Sequence, residues 1–222
     1  MFKKFNNWLQ SKFENWNYLL FYKWLTFNVL GFFLFFLAYF QGYVDLVLQN
    51  DVSNISFLIL GIFLISLILG GWKVFSTSKE INMVKEGRGT GRYHEFKTNI
   101  EQSKERRHNA WAEALKLKLF SKILFLKFLA SLPVVLGLIG TVVGFILMTS
   151  GIGDGVTGAE AARALVTSLV IGMGTALYTT LVGAIFSVWL LANYAFLQIG
   201  VIQLIAYILE YEARDIDGEE DA

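Results

Sequence analysis

The sequence predicts an all-α polytopic membrane protein with four transmembrane helices, two of them extended into the cytoplasm. Three observations lead there. Of 222 residues, 55% are hydrophobic and 16% aromatic, with one Pro and no Cys, a balance too apolar for an ordinary soluble domain. Four stretches carry no charge and are long enough to span: Trp24 to Gln41, Ser56 to Trp72, Phe128 to Ser150, and Ala164 to Leu209. Lysine and arginine crowd the N-terminal segment and the segment between the second and third stretches, whereas Gly42 to Asn54 has none and Gly151 to Arg163 has only Arg163. That asymmetry predicts that both termini and the long loop lie in the cytoplasm.

Residues 1–22 place Phe2, Phe5, Leu9, Phe13, Trp16 and Leu20 three or four apart among lysines and asparagines, the pattern of an amphipathic helix on the cytoplasmic face of the bilayer. Trp8, Trp16, Tyr18 and Trp24 are residue types that settle at headgroup depth. Residues 23–72 hold the first and second transmembrane helices. At 1.5 Å per residue, about 18 residues cover roughly 27 Å of a hydrocarbon core of about 30 Å, so both span with little tilt. No small-residue cleavage site follows the first span, which is therefore expected to stay in the membrane.

Residues 73–127 form a cytoplasmic helical loop. The second span continues through Val74, Ile81 and Val84 and breaks at Gly87, Gly89 and Gly91; a further helix then carries Phe96, Ile100, Trp111 and Leu115 on one face. The GRGTGR stretch lacks the Lys-Ser/Thr pair and the preceding strand of a phosphate loop, and reads as a turn. His94 and His108 have no Cys or carboxylate at ligand spacing and read as surface residues; no metal site or cofactor is expected. Residues 128–198 contain the third and fourth transmembrane helices. Pro133, the single proline, marks a helix start or a mild kink. With Thr180 at its centre the fourth helix occupies the bilayer from about 170 to 190. It then continues through residues 199–222 as a cytoplasmic helix and an acidic tail, disordered beyond Arg214.

The net charge of +1 hides an asymmetry. From Lys73 to Lys127 there are thirteen basic and six acidic residues, and from Glu210 to Ala222 one Arg and seven carboxylates. The loop charges alternate in sign, which argues against a nucleic-acid tract and for a solvated face near anionic headgroups of the lipid bilayer.

Two apolar segments hold the candidate chemistry: LPVVLGLIGTVVGFI from Leu132 to Ile146 and GMGTALYTTLVGA from Gly172 to Ala184. Glycine in the middle of a helix sacrifices propensity, and threonine in hydrocarbon needs a hydrogen-bond partner. Gly137, Thr141, Gly144 and Met148 recur at four, three and four residues, as do Ala176, Thr180, Gly183 and Ser187. With each helix centred on its threonine, Thr141 and Thr180 share one depth. Such stripes have two readings of about equal weight: close helix packing with hydroxyls bonded to their own i−4 carbonyls, or a polar path. The spans contain no Asp, Glu, Lys, Arg or His, so this chain alone cannot relay protons at mid-membrane. If ions cross here, a carboxylate must come from another chain.

LGLIGTVVG at Leu136 to Gly144 and GMGTALYTTLVGA at Gly172 to Ala184 resemble the paired signatures of the MotA/TolQ/ExbB family, stator and energising subunits of bacterial inner membranes. The four-span layout is closer to the MotA-like branch than to the three-span TolQ and ExbB. The resemblance implies a non-enzymatic, ring-forming subunit, a homopentamer around a dimer of single-span MotB/ExbD/TolR-like partners, each with a membrane aspartate. It implies an ion path lined by Thr141 and Thr180, with Thr179 a further member. Gly137, Gly140, Gly144, Ala176 and Gly183 would pack the helices near that path. The transported ion is H+ or Na+; a sodium ion would be coordinated at Thr141 and Thr180. Thr175 stands where many TolQ and ExbB members carry Glu, and Thr179 to Ala184 is closer to sodium-type flagellar stators. The rival expectation is a structural membrane scaffold whose Gly/Thr stripes serve only helix packing. A stand-alone channel is disfavoured, since nothing charged lines the spans to select an ion.

Overall fold

The computed structural model describes residues 18–85, 108–150 and 159–220. Among them the chain forms five helices: α1 (Leu19–Phe40), α2 (Tyr43–Asn50), α3 (Ile55–Lys85), α4 (His108–Ser150) and α5 (Ala159–Glu220). All but α2 contain windows long and apolar enough to cross a membrane. The fold is therefore all-α with four membrane-spanning helices. Helices α3, α4 and α5, of 31, 43 and 62 residues, are roughly 46, 65 and 93 Å long at 1.5 Å per residue, well beyond a core of about 30 Å.

Several local features differ from the sequence expectation. The first span begins at Leu19, so residues 19–22 continue into it without a break. Gly42 adopts φ 78°, a left-handed conformation that suits glycine at a helix C-terminus, and separates α1 from the short α2, a helix not predicted from the sequence. Pro133 does not open a helix: it is buried in the interior of α4, which runs unbroken from the loop helix into the third span. Its missing N–H withdraws one bond from the Leu129 carbonyl, a loss that neighbouring helices make tolerable in a membrane. The backbone of α5 stays helical to Glu220, past the point where the acidic composition suggested disorder. The amphipathic helix before residue 18, the Gly87 to Gly91 turn, His94, Phe96 and Ile100 lie outside the described residues.

The chain divides into two compact units, and each of the four long helices contributes to both. Among the described residues the first combines 18–27, 70–85, 108–124 and 195–220. Its core comes from buried residues three, four or seven apart: Val74, Ile81 and Val84 on α3, Leu115, Leu119 and Ile123 on α4, and Leu197, Val201, Leu204 and Ile208 on α5. Tyr18 stacks on Phe75, and the Lys85 ammonium sits 4.8 Å from the Tyr207 ring centroid.

The second unit, residues 28–69 and 125–194, contains the threonine segments. Ile59, Phe63, Ala130, Phe186 and Leu190 form its core, with Phe63 and Phe186 stacked at 4.5 Å. Large apolar side chains point outward all around it, Phe33, Leu138, Leu177 and Val188 among them. That inversion suits a lipid solvent. Where lipid tails are as apolar as leucine, close packing and hydrogen bonds hold helices together.

Candidate functional site

In the second unit α4 and α5 run antiparallel, and close contacts recur at steps of seven residues along α4 and of eight and then seven along α5. Gly144 meets Gly172, Gly137 meets Thr180, and Ala130 meets Ser187. The small residues at the seam are a steric requirement. A Cβ added to Gly144 would lie 2.5 Å from the Gly172 carbonyl oxygen and 2.7 Å from the Ala176 Cβ. A Cβ on Gly183 would strike the Pro133 carbonyl, and one on Gly140 would strike the Thr179 side chain. Gly137, Gly140, Gly144, Ala176 and Gly183 all lie at this contact, and Gly172 extends the α5 stripe by one more turn.

Hydroxyls then tie the seam. Thr180 Oγ1 donates across the pair to the Gly137 carbonyl at 3.1 Å, and Ser187 Oγ donates to the Ala130 carbonyl at 2.8 Å. Thr179 is fully buried and donates back within α5, to Thr175 at 2.8 Å and Ala176 at 3.2 Å. Thr141 donates to the Leu138 carbonyl of its own helix. Thr141 and Thr180 are half-buried, whereas Thr179 has no exposed surface.

This distribution has a chemical consequence. A threonine hydroxyl has one proton to give and two lone pairs to accept with. In both half-buried threonines the proton is committed to a backbone carbonyl, so the accessible oxygen acts as an acceptor. Such an oxygen can take a bond from a protonated carboxyl or contribute to the coordination of a cation. Among the described residues no group of three His, Cys, Asp or Glu could hold a metal ion.

Sequence reading missed three features of this unit. Fully buried Thr175, read only as a departure at a glutamate position, donates at 2.9 Å to the Asn50 carbonyl at the end of α2. Asp51, 4% exposed, accepts from the Ser53 N–H at 3.1 Å, the Ser53 hydroxyl at 2.6 Å and the Ser56 N–H at 2.7 Å, capping the first turn of α3. Asn28, Trp189 and Asn193 form a buried polar cluster between α1 and α5. Asparagines in otherwise apolar runs were the available signal, but pairing residues 165 positions apart requires the fold.

A family model described as the MotA/TolQ/ExbB proton channel family matches residues 82–209, which is more than half of the chain and includes the whole α4–α5 seam. Neither the curated proteins nor the solved structures gave a match.

Proposed function

The chain belongs to the MotA/TolQ/ExbB proton channel family, whose members are non-catalytic channel and stator subunits, and from that premise we propose that it is a ring-forming subunit of an ion-driven inner-membrane motor. Its four apolar helices support the MotA-like branch. In this reading α4 and α5 line an ion path beside an aspartate on a single-span partner, and the stretches of α3 and α5 beyond the bilayer extend into the cytoplasm. The observation that carries it is the pair of half-buried threonines, each with its hydroxyl proton given to a carbonyl. They stand in spans without an ionisable side chain, inside the family-matched region. Thr141 and Thr180 then offer lone pairs to the partner's aspartic acid when it is protonated, or to the sodium ion that replaces the proton. Thr179, bonded within α5 and sealed from solvent, supports the path by filling the space at Gly140.

A scaffold without ion transport is the second reading, and the hydroxyls of Thr141 and Thr179 bonded within their own helices favour it. One experiment separates the two. The chain is co-expressed with a single-span partner carrying a membrane Asp, the complex is purified and imaged, and ion-dependent activity is measured for Thr141→Ala and Thr180→Ala. A ring around a partner pair with activity lost in both variants is expected. Full activity in both variants refutes the ion path and leaves the scaffold.

A further inference from the structure

The amide of Asn28 on α1 is 3% exposed. Its Nδ2 donates to Asn193 Oδ1 at 2.7 Å, and its Oδ1 accepts from Trp189 Nε1 at 3.0 Å. Asn193 Nδ2 donates to the Trp189 backbone carbonyl at 2.9 Å, which closes the circuit. The Trp189 indole rests on Gly31, where any Cβ would collide with it, and meets the rings of Phe32 and Phe63 edge-on at 5.3 and 5.1 Å. One side chain on α5 is thus held by α1 from below, by α1 and α3 from the sides, and by a directional bond at its nitrogen.

This cluster lies on the opposite side of α5 from the threonine seam. Trp189 and Thr180 are nine residues apart, which at 3.6 residues per turn is about two and a half turns, so they project about half a turn from each other. The helix is continuous between them, so a rotation allowed at Trp189 is delivered to Thr180. Apolar ridges in lipid tolerate small rotations because one aliphatic contact replaces another. A buried amide does not, since every donor that leaves its acceptor is stranded in apolar surroundings.

We infer that Asn28, Trp189 and Asn193 are positioning residues that set the rotation of α5 about its own axis and so hold Thr180 over the Gly137 carbonyl. The inference rests on the reading of Thr180 as an ion-path oxygen, and its test keeps the two apart. Because the chain contains no Cys, Thr180→Cys supplies a single thiol. Its alkylation rate by N-ethylmaleimide is measured in membrane vesicles, alone and combined with Asn28→Leu or Trp189→Phe. Trp189→Phe keeps an aromatic ring while removing the N–H donor and part of the indole's bulk at Gly31, so it serves even where Asn28→Leu fails to assemble. The rate is expected to rise about threefold, the equilibrium weight of one membrane hydrogen bond. With Thr180 restored, the co-expressed complex is expected to need about threefold more ion for half-maximal flux, at an unchanged amount of complex in the membrane. An unchanged alkylation rate in Trp189→Phe overturns the positioning role whatever the flux shows. A raised rate with an unchanged half-maximal ion concentration upholds the positioning role and refutes instead the ion-path reading of Thr180.

Discussion

Replacing Gly144 with Ala adds one methyl group where the α4–α5 seam has no space for it. The new Cβ would lie 2.5 Å from the Gly172 carbonyl oxygen and 2.7 Å from the Ala176 Cβ, while ordinary contact begins near 3.4 Å. Backbone and a β-carbon cannot swing aside as a long side chain does, so the two helices must separate by roughly 1 Å. Overpacking of this kind costs about 1–3 kcal/mol. The same movement stretches the 3.1 Å bond from Thr180 to Gly137 towards about 4 Å, losing a membrane hydrogen bond of about 0.6 kcal/mol. The higher helix propensity of Ala returns up to about 1 kcal/mol. A net destabilisation of about 1–3 kcal/mol is therefore expected. The comparison is Gly61→Ala, because a Cβ at Gly61 meets nothing within 4 Å and only propensity acts there. Unfolding of the detergent-solubilised chain by a denaturing detergent, followed by tryptophan fluorescence, measures both variants against the parent. If Gly144→Ala is as stable as Gly61→Ala, the seam is not close-packed and the steric reasoning fails.

Three further outcomes follow from the hydrogen bonds. Thr180→Val removes a bond between helices and is expected to lose about 0.6–1.7 kcal/mol in the same unfolding assay. Thr141→Val removes one within a helix and should leave stability nearly unchanged, yet both should lower ion flux in the co-expressed complex; normal flux in Thr141→Val contradicts its role in the path. Thr175→Val deprives the Asn50 carbonyl of a donor and is expected to cost about 1 kcal/mol, seen as faster hydrogen exchange in α2 by mass spectrometry. Asp51→Ala removes three accepted bonds at the first turn of α3, with an expected loss of about 0.5–2 kcal/mol; Asp51→Asn, which retains an acceptor oxygen, should lose less.

Which residues stand out in α4 and α5 was visible before the fold. Glycine and threonine in charge-free helices are conspicuous because they go against propensity and solvation, and their three- and four-residue spacing puts them on one face whatever the tertiary arrangement. The direction of each hydroxyl was not visible. Thr141, Thr179 and Thr180 share a chemistry, yet one bonds across the seam and two within their own helices. That outcome depends on which face meets the other helix, a long-range choice that a local pattern does not record. Pro133 shows the same limit. Its place in the sequence suits a helix start, and only the continuity of α4 through it revealed an interior position sheltered by α5.

By itself the sequence determined the membrane class, the number of spans and the pair of helices that carry small residues and hydroxyls. Hydropathy, charge and helical periodicity act over one to a few turns and are written in consecutive residues. The tertiary structure decided the register of α4 against α5, the bond from Thr180 to Gly137, the Thr175 tie to α2, and the amide cluster of Asn28 with Asn193. The three bonds join residues more than forty positions apart, and a bond between distant residues exists only once packing has brought their helices to a common depth and rotation.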